Sequence, residues 1–412
     1  MEPQNQTLVS EAATRLRAIG GAQWIALLVV MLSGPPLMAL TFSTIAPVLP
    51  AIARHFGSQE ESTLIAQWIM TAPAMGLMLG GPAGGFLIDR IGPRWLIIGA
   101  FALFAAAGSA GLYLNSALAL LISRFLLGLA GSCIATTATW LIGERFDELR
   151  RRRVIGIQDS IAGVTAMSAV LLSGIIGTTD WRLPFAIYLI AVPLFVLALL
   201  AVPAVRPTTD AEANPPLIGV LAPLWPVYAL VLAMAGLMML PATQVPFLLE
   251  SSGITDPITR SRVIASSAAL TIVSAALYGP IRQRLKERGT LALIILAYAL
   301  GTTTLSQSSD AWGAAFGCML LGTGTGLFSP HFTSVLIART PQPTRGRAIG
   351  LLFGTIFLSE FLSPLIILPL RAAFGVHGGF LALGVALFAG FAVAIITRRG
   401  NGTPPVPERI EA

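Results

Sequence analysis

Apolar residues run in stretches of about 20, the length a helix needs to cross the hydrocarbon of a bilayer, and short polar segments separate them. The first half of the chain holds six such stretches, at about 24–45, 66–88, 95–114, 117–140, 154–177 and 182–202. The second half holds six more, at about 219–243, 262–281, 290–306, 311–336, 348–370 and 377–397. The pattern predicts an all-α membrane protein: twelve transmembrane helices in two six-helix bundles, spanning residues 1–202 and 219–399. Between them Pro203 to Pro216 is polar and rich in proline, so it cannot continue a helix and reads as a linker over 203–218. A loose tail is expected over 400–412.

The two halves repeat one another. Gly85-Phe-Leu-Ile-Asp89-Arg90-Ile-Gly92-Pro93-Arg94 aligns with Gly279-Pro-Ile-Arg-Gln283-Arg284-Leu-Lys286-Glu-Arg288 at an offset of 194 residues. The same offset pairs Gly128 with Gly322, Arg153 with Arg347 and Gly156 with Gly350. One shift that holds across many boundaries of apolar segments indicates duplication of a membrane unit, which makes the bundles pseudo-symmetric. Two such units in one membrane suit a transporter.

Composition narrows the class. With 55% hydrophobic and only 11% charged residues, the chain has too little polar surface to cover a water-soluble body. The basic residues set its orientation, because cytoplasmic loops retain Lys and Arg. Arg54, Arg182, Arg260, Arg262 and Arg371 fall on one side and Arg124 lies inside a span; every other Lys and Arg falls on the side of the N-terminus. Both termini are therefore expected in the cytoplasm, with the chain multi-pass in the plasma (inner) membrane. The net charge of +7 follows from this bias, and no basic run stands on a polar extended surface, so nucleic acid is not an expected partner. No phosphate-binding Gly-x-x-x-x-Gly-Lys-Ser/Thr loop, metal-ligand cluster or nucleophile triad is legible, so neither a cofactor nor an enzymatic activity is expected. Cys133 and Cys318 lie within spans and read as small apolar residues.

The loop after the second span resembles the signature loop of the major facilitator superfamily, Gly-x-x-x-Asp-Arg-x-Gly-x-Arg. Gly85, Asp89, Arg90, Gly92 and Arg94 match it, Pro93 replaces a usually basic position, and Gln283 stands where the second copy would carry its acid. Arg124-Phe-Leu-Leu-Gly128 is similar to the family's second motif in span four, with Leu127 in place of a frequent glutamine. Trp181-Arg182-Leu-Pro184-Phe185 resembles the entry to span six in the drug-exporter branch. The branch's proline-bearing motif of span five is missing, since Val154 to Leu183 holds no proline, which leaves the direction of transport open. The resemblance implies the major facilitator fold, a gating role for Gly85, Asp89, Arg90, Gly92 and Arg94, proton transfer at Arg124, and a monomer. The loop also makes sense physically: an acid at a helix end can meet positive groups on a neighbouring helix and latch that face.

Three charges fall inside predicted spans, away from their first and last residues. Arg124 lies about 9 Å deep, where an unpaired guanidinium is costly; it faces the bundle interior, or it snorkels to the interface. Glu360, in Phe-Leu-Ser-Glu360-Phe-Leu-Ser-Pro364, lies about 18 Å from the near end of span eleven, close to the midplane. Burial there disfavours a charged carboxyl, the property a proton-carrying site requires; the alternatives are an interhelical hydrogen-bond donor and a contact for a cationic substrate. Asp159 lies only about 8 Å deep in span five, as a helix-end group, a partner for nearby arginines, or a cavity residue. Glu360, Arg124 and Asp159 are the candidates for proton coupling. Gln67, Trp68, Gln244 and His331 are candidates to line a substrate pocket, His331 reading equally as a packing residue.

The expectation is secondary transport of a small molecule by alternating access, most readily export coupled to protons, with lipid, protons and substrate as the partners. Uptake or facilitated diffusion is the nearest rival, and a non-cycling receptor of the same fold stands behind it. The residues do not identify the substrate.

Overall fold

The computed structural model describes residues 21–57, 60–204, 217–340 and 344–396. Most of the expected linker and the whole expected tail lie outside these residues. Among the described residues, nine helices are long and apolar enough to cross a membrane. Two of them, Ser62–Leu112 and Arg347–Ala392, are double-length and are broken at Gly92 (φ 80°, ψ 157°) and Gly375 (φ 71°, ψ −179°), so each supplies two spans. Pro257–Ala276 adds the eighth span; it is too polar to qualify by hydropathy, and it packs against spans five and ten. The result is a twelve-helix membrane protein in two six-helix bundles. Exposed aromatic residues mark the interfaces: Trp95 begins span three and Tyr113 follows its end, about 27 Å away along a helix, with Trp312 on the Tyr113 side. Below, the side bearing the Gly92 turn is the basic face and the other the opposite face.

Internal symmetry reaches the packing. A methyl on Gly128 of span four would overlap the carbonyl of Pro73 in span two, and a methyl on Gly322 of span ten would overlap the carbonyl of Ser267 in span eight. Both pairs are related by the 194-residue offset. The next turn repeats this with the partners exchanged, Gly80 meeting Ser132 in the first half and Ser274 meeting Gly326 in the second. The glycines of spans two and ten thus allow backbone-to-backbone contact.

Several predicted ends move. The first span does not stop near residue 45; it runs to Phe56 as Gly21–Leu32, Gly34–Ser43 and Leu49–Phe56, with a short 3₁₀ turn Ala46–Val48 between the last two. Pro47 and Pro50 interrupt its backbone ladder, and Arg54 and His55 end its apolar run, yet the helix continues to Phe56. The seventh span likewise runs beyond residue 243 to Ser251, broken around Gln244 between Leu240–Thr243 and Val245–Ser251. Buried apolar side chains form two clusters, one drawn mainly from residues 27–202 and one from residues 224–380. Cys133 and Cys318 are buried and unpaired.

Candidate functional site

Residues singled out in separate spans meet between the halves. Gln67 of span two and Gln244 of span seven are both buried, and Gln67 Nε2 donates to Gln244 Oε1 at 3.3 Å. Gln244 owes its position to the break in span seven, with Pro241 and Pro246 on either side. Gln67 Oε1 has no hydrogen-bond partner among the described residues, so the seam holds a buried amide that is only partly satisfied. One residue on, Trp68 packs on Phe361 of span eleven with ring centroids 4.8 Å apart. The seam is therefore lined by two amides and two aromatic rings drawn from both halves.

Glu360 precedes Phe361 in the chain and is buried. Its Oε2 has no hydrogen-bond partner among the described residues. It follows Leu352 and Ile356 on the buried stripe of its helix, with Tyr298 of span nine within electrostatic range. The local sequence supports the site: Pro364 has no N–H for the Glu360 carbonyl, and Ser363 Oγ donates to that carbonyl at 2.8 Å instead. Ser359, on the other side, donates to Leu232 O at 2.7 Å and accepts from Gly236 N at 2.8 Å, tying span eleven to span seven.

Arg124 is fully buried and does not snorkel. It lies inside the first bundle rather than at the seam, donating through Nη2 to Thr41 O at 3.1 Å and to the Tyr188 hydroxyl at 2.6 Å. Its guanidinium also stands 4.9 Å from the Tyr188 ring centre and 5.4 Å from that of Phe185. Thr41 lies in the last turn before span one loses its helix at Thr44 and Ile45, so Arg124 serves the carbonyl end of a broken helix, where a cation is favoured. Its Nε and Nη1 have no hydrogen-bond partner among the described residues.

The remaining candidates lie apart. Asp159 is exposed on span five, while its neighbour Gln158 is buried and donates to Met31 O at 2.6 Å. Asp159 therefore leaves the set of buried charges expected from sequence, and Arg260, counted only as a loop residue, enters it. His331 is buried beside Phe332, with ring centres 5.3 Å apart, in the half of span ten nearer the basic face. At the Gly92 turn, Asp89 is exposed and makes no ion pair among the described residues. Arg90 stacks over Phe86 at 4.7 Å, Arg94 Nη2 donates to Leu199 O at 3.0 Å, and a methyl on Gly85 would meet open space. A cross-half tie occurs instead at the opposite face, where Arg54 of span one bonds Glu250 of span seven. Glu250 and Tyr188 drew no attention in the sequence. The motif near Tyr188 ends three residues earlier, and only the pairing of Arg54 with an acid on another span gives Glu250 meaning.

The sequence profile of the Major Facilitator Superfamily matches residues 36–364, most of both bundles. The chain belongs to this superfamily. Membership places it among transporters rather than enzymes. Relatives include the tetracenomycin C resistance and export protein of Streptomyces glaucescens, 27% identical over 205 residues that make up 50% of this chain and 37% of that protein. The multidrug efflux pump LfrA of Mycolicibacterium smegmatis is 29% identical over 194 residues, 47% of this chain and 37% of the relative. The chain thus spans well under half the length of these superfamily relatives. In three dimensions it is similar to a D-xylose-proton symporter (TM-score 0.68, 16% identity, 92% of this chain and 97% of the other) and to the nucleoside transporter NupG (TM-score 0.73, 10% identity, 92% and 100%). At these identities the likeness shows the superfamily fold.

Proposed function

We propose that the protein is a proton-coupled exporter of small organic molecules, working as a monomer in the plasma (inner) membrane by alternating access. The basic face is then cytoplasmic, as the excess of Lys and Arg in its loops favours. The observation that carries the reading is Glu360: a carboxyl buried in span eleven without a hydrogen-bond partner for Oε2, one residue from the aromatic contact that joins the halves. A buried acid able to change its protonation as the seam opens gives proton binding a different energy in the two states, which coupling requires. Gln67, Gln244 and Trp68 face the seam beside it and supply hydrogen bonds and a stacking surface for the substrate. Asp89, Arg90 and Arg94, with the glycines of their turn, act in gating, and the names of the export and efflux relatives support the outward direction.

The test is internal pH in proteoliposomes holding the purified protein, with amphipathic cations, sugars, amino acids and metal chelators added in turn under an imposed proton gradient. Proton movement that depends on one compound class supports exchange. Substrate equilibration and counterflow without proton movement would replace it with facilitated diffusion.

A further inference from the structure

We propose that Glu250 and Arg54 form the gate tie that closes the face opposite the basic loops, and that Arg260 is the residue that positions the Glu250 carboxylate. The inference rests on the alternating-access reading above and adds its gating residues on that face.

Arg54 lies in the last turn of Leu49–Phe56 and belongs to the first half. Glu250 lies in the last turn of Val245–Ser251 and Arg260 in the first turn of Pro257–Ala276, both in the second. Arg54 Nη1 donates to Glu250 Oε1, and Arg260 Nη2 stands 3.7 Å from Glu250 Oε2, so each carboxyl oxygen faces one guanidinium. Arg260 is held from behind, its Nε donating to Ile254 O at 3.0 Å. Exposure separates the two arginines: the Arg260 side chain is 1% exposed, Glu250 28% and Arg54 58%. When the halves part, Glu250 keeps a fixed cation in its own half, and Arg54 passes into water.

Such a tie is weak by construction. An ion pair this exposed contributes little, enough to bias a rocking equilibrium and too little to lock it. It borders a groove lined by Ala51, Arg54, Thr178, Trp181, Thr255 and Arg260, and Arg54 is exposed, so salt can reach it. By contrast, the ion pairs of Glu287 with Arg282 and Arg339 and of Asp147 with Arg150 on the basic face each stay within one half.

Ser261 provides a reporter. It is buried where spans five and eight meet, close enough that a methyl on Gly174 would overlap it. In the full chain carrying Ser261→Cys, labelling by a membrane-impermeant maleimide measures opening of this face, and it needs neither substrate nor proton gradient. Arg54→Gln and Glu250→Gln are each expected to speed labelling about threefold, the double variant no more than either single one, and Arg54→Lys little. Added salt should speed labelling of the parent and leave Arg54→Gln unchanged. In an Arg260→Gln background the Arg54→Gln effect should shrink, a coupling that a merely structural arginine would not show. Equal labelling of the parent and both single variants, with thermal midpoints unchanged, overturns the tie. A full Arg54→Gln effect without Arg260 removes the positioning role. Either result is separate from flux, so a failed gate and a failed transport reading are told apart.

Discussion

Gly92 and Lys286 occupy equivalent turns, 194 residues apart, and both hold the backbone at positive φ: 80° and 59°, with ψ of 157° and −171°. Glycine adopts this region freely; a side chain there costs about 1–3 kcal/mol. The two halves share the turn but not the residue suited to it. Lys286→Gly is therefore expected to raise stability by about 1 kcal/mol and Gly92→Ala to lower it by a similar amount. Thermal unfolding of the purified protein in detergent checks both, and a drop for Lys286→Gly would show that the lysine side chain contributes more than its backbone costs.

The amide pair across the seam permits a double-mutant cycle. Gln67→Leu leaves the Gln244 amide buried and unpartnered, at a cost of about 1–3 kcal/mol, whereas Gln67→Leu with Gln244→Leu removes both polar groups and should recover most of it. Unfolding midpoints of the four proteins give the coupling. Strict additivity would mean that the 3.3 Å bond carries no energy. If the seam binds substrate, both single variants should also weaken substrate affinity.

Glu360→Gln keeps the shape of the side chain and removes its ability to exchange a proton. Proton-coupled uphill flux should disappear, while substrate counterflow at equal pH survives. Uphill transport at the parent's rate would sink the proton role of Glu360.

Asp256 caps span eight, accepting from the Thr259 hydroxyl at 2.7 Å, from Thr259 N at 2.9 Å and from Ile258 N at 3.2 Å. The Thr259 hydroxyl above all, with those backbone N–H groups and nearby Arg262, holds its carboxyl below the usual range against the opposing effect of burial. A depressed folded-state value means that its stabilisation is complete above the unfolded value of about 3.9 and is lost as pH falls through the lower folded one. Asp256→Ala should cost about 1 kcal/mol near pH 7 and progressively less below about pH 4. A pH-independent cost would assign the effect to packing.

Much of the fold was legible because its determinants are local. Span number, the 194-residue repeat and the Gly92 turn follow from apolar run length and a glycine-bearing motif, which hold whatever the neighbouring helices do. Span eight shows the limit, which lies in the ends: expected over about 262–281, it runs over Pro257–Ala276, because Asp256 caps it before its apolar run begins. The candidate site was legible in part. Gln67, Trp68 and Glu360 stand out as polar or aromatic residues within apolar spans and Gln244 at the end of one, but the meeting of Gln67 with Gln244 and of Trp68 with the neighbour of Glu360 depends on which face each helix turns inward.

The sequence by itself determined a twelve-span membrane chain made of two related halves, because the bilayer imposes one rule on every segment: enough apolar length, with backbone polar groups satisfied within the helix. Only the tertiary structure decided which buried groups have partners. It placed Arg124 on a broken turn of span one and the Tyr188 hydroxyl, Gln67 against Gln244, and Glu250 between Arg54 and Arg260. These pairings join residues far apart in the chain, and they follow from helix rotation and from breaks at prolines, which side-chain packing across the bundles fixes and hydropathy does not record.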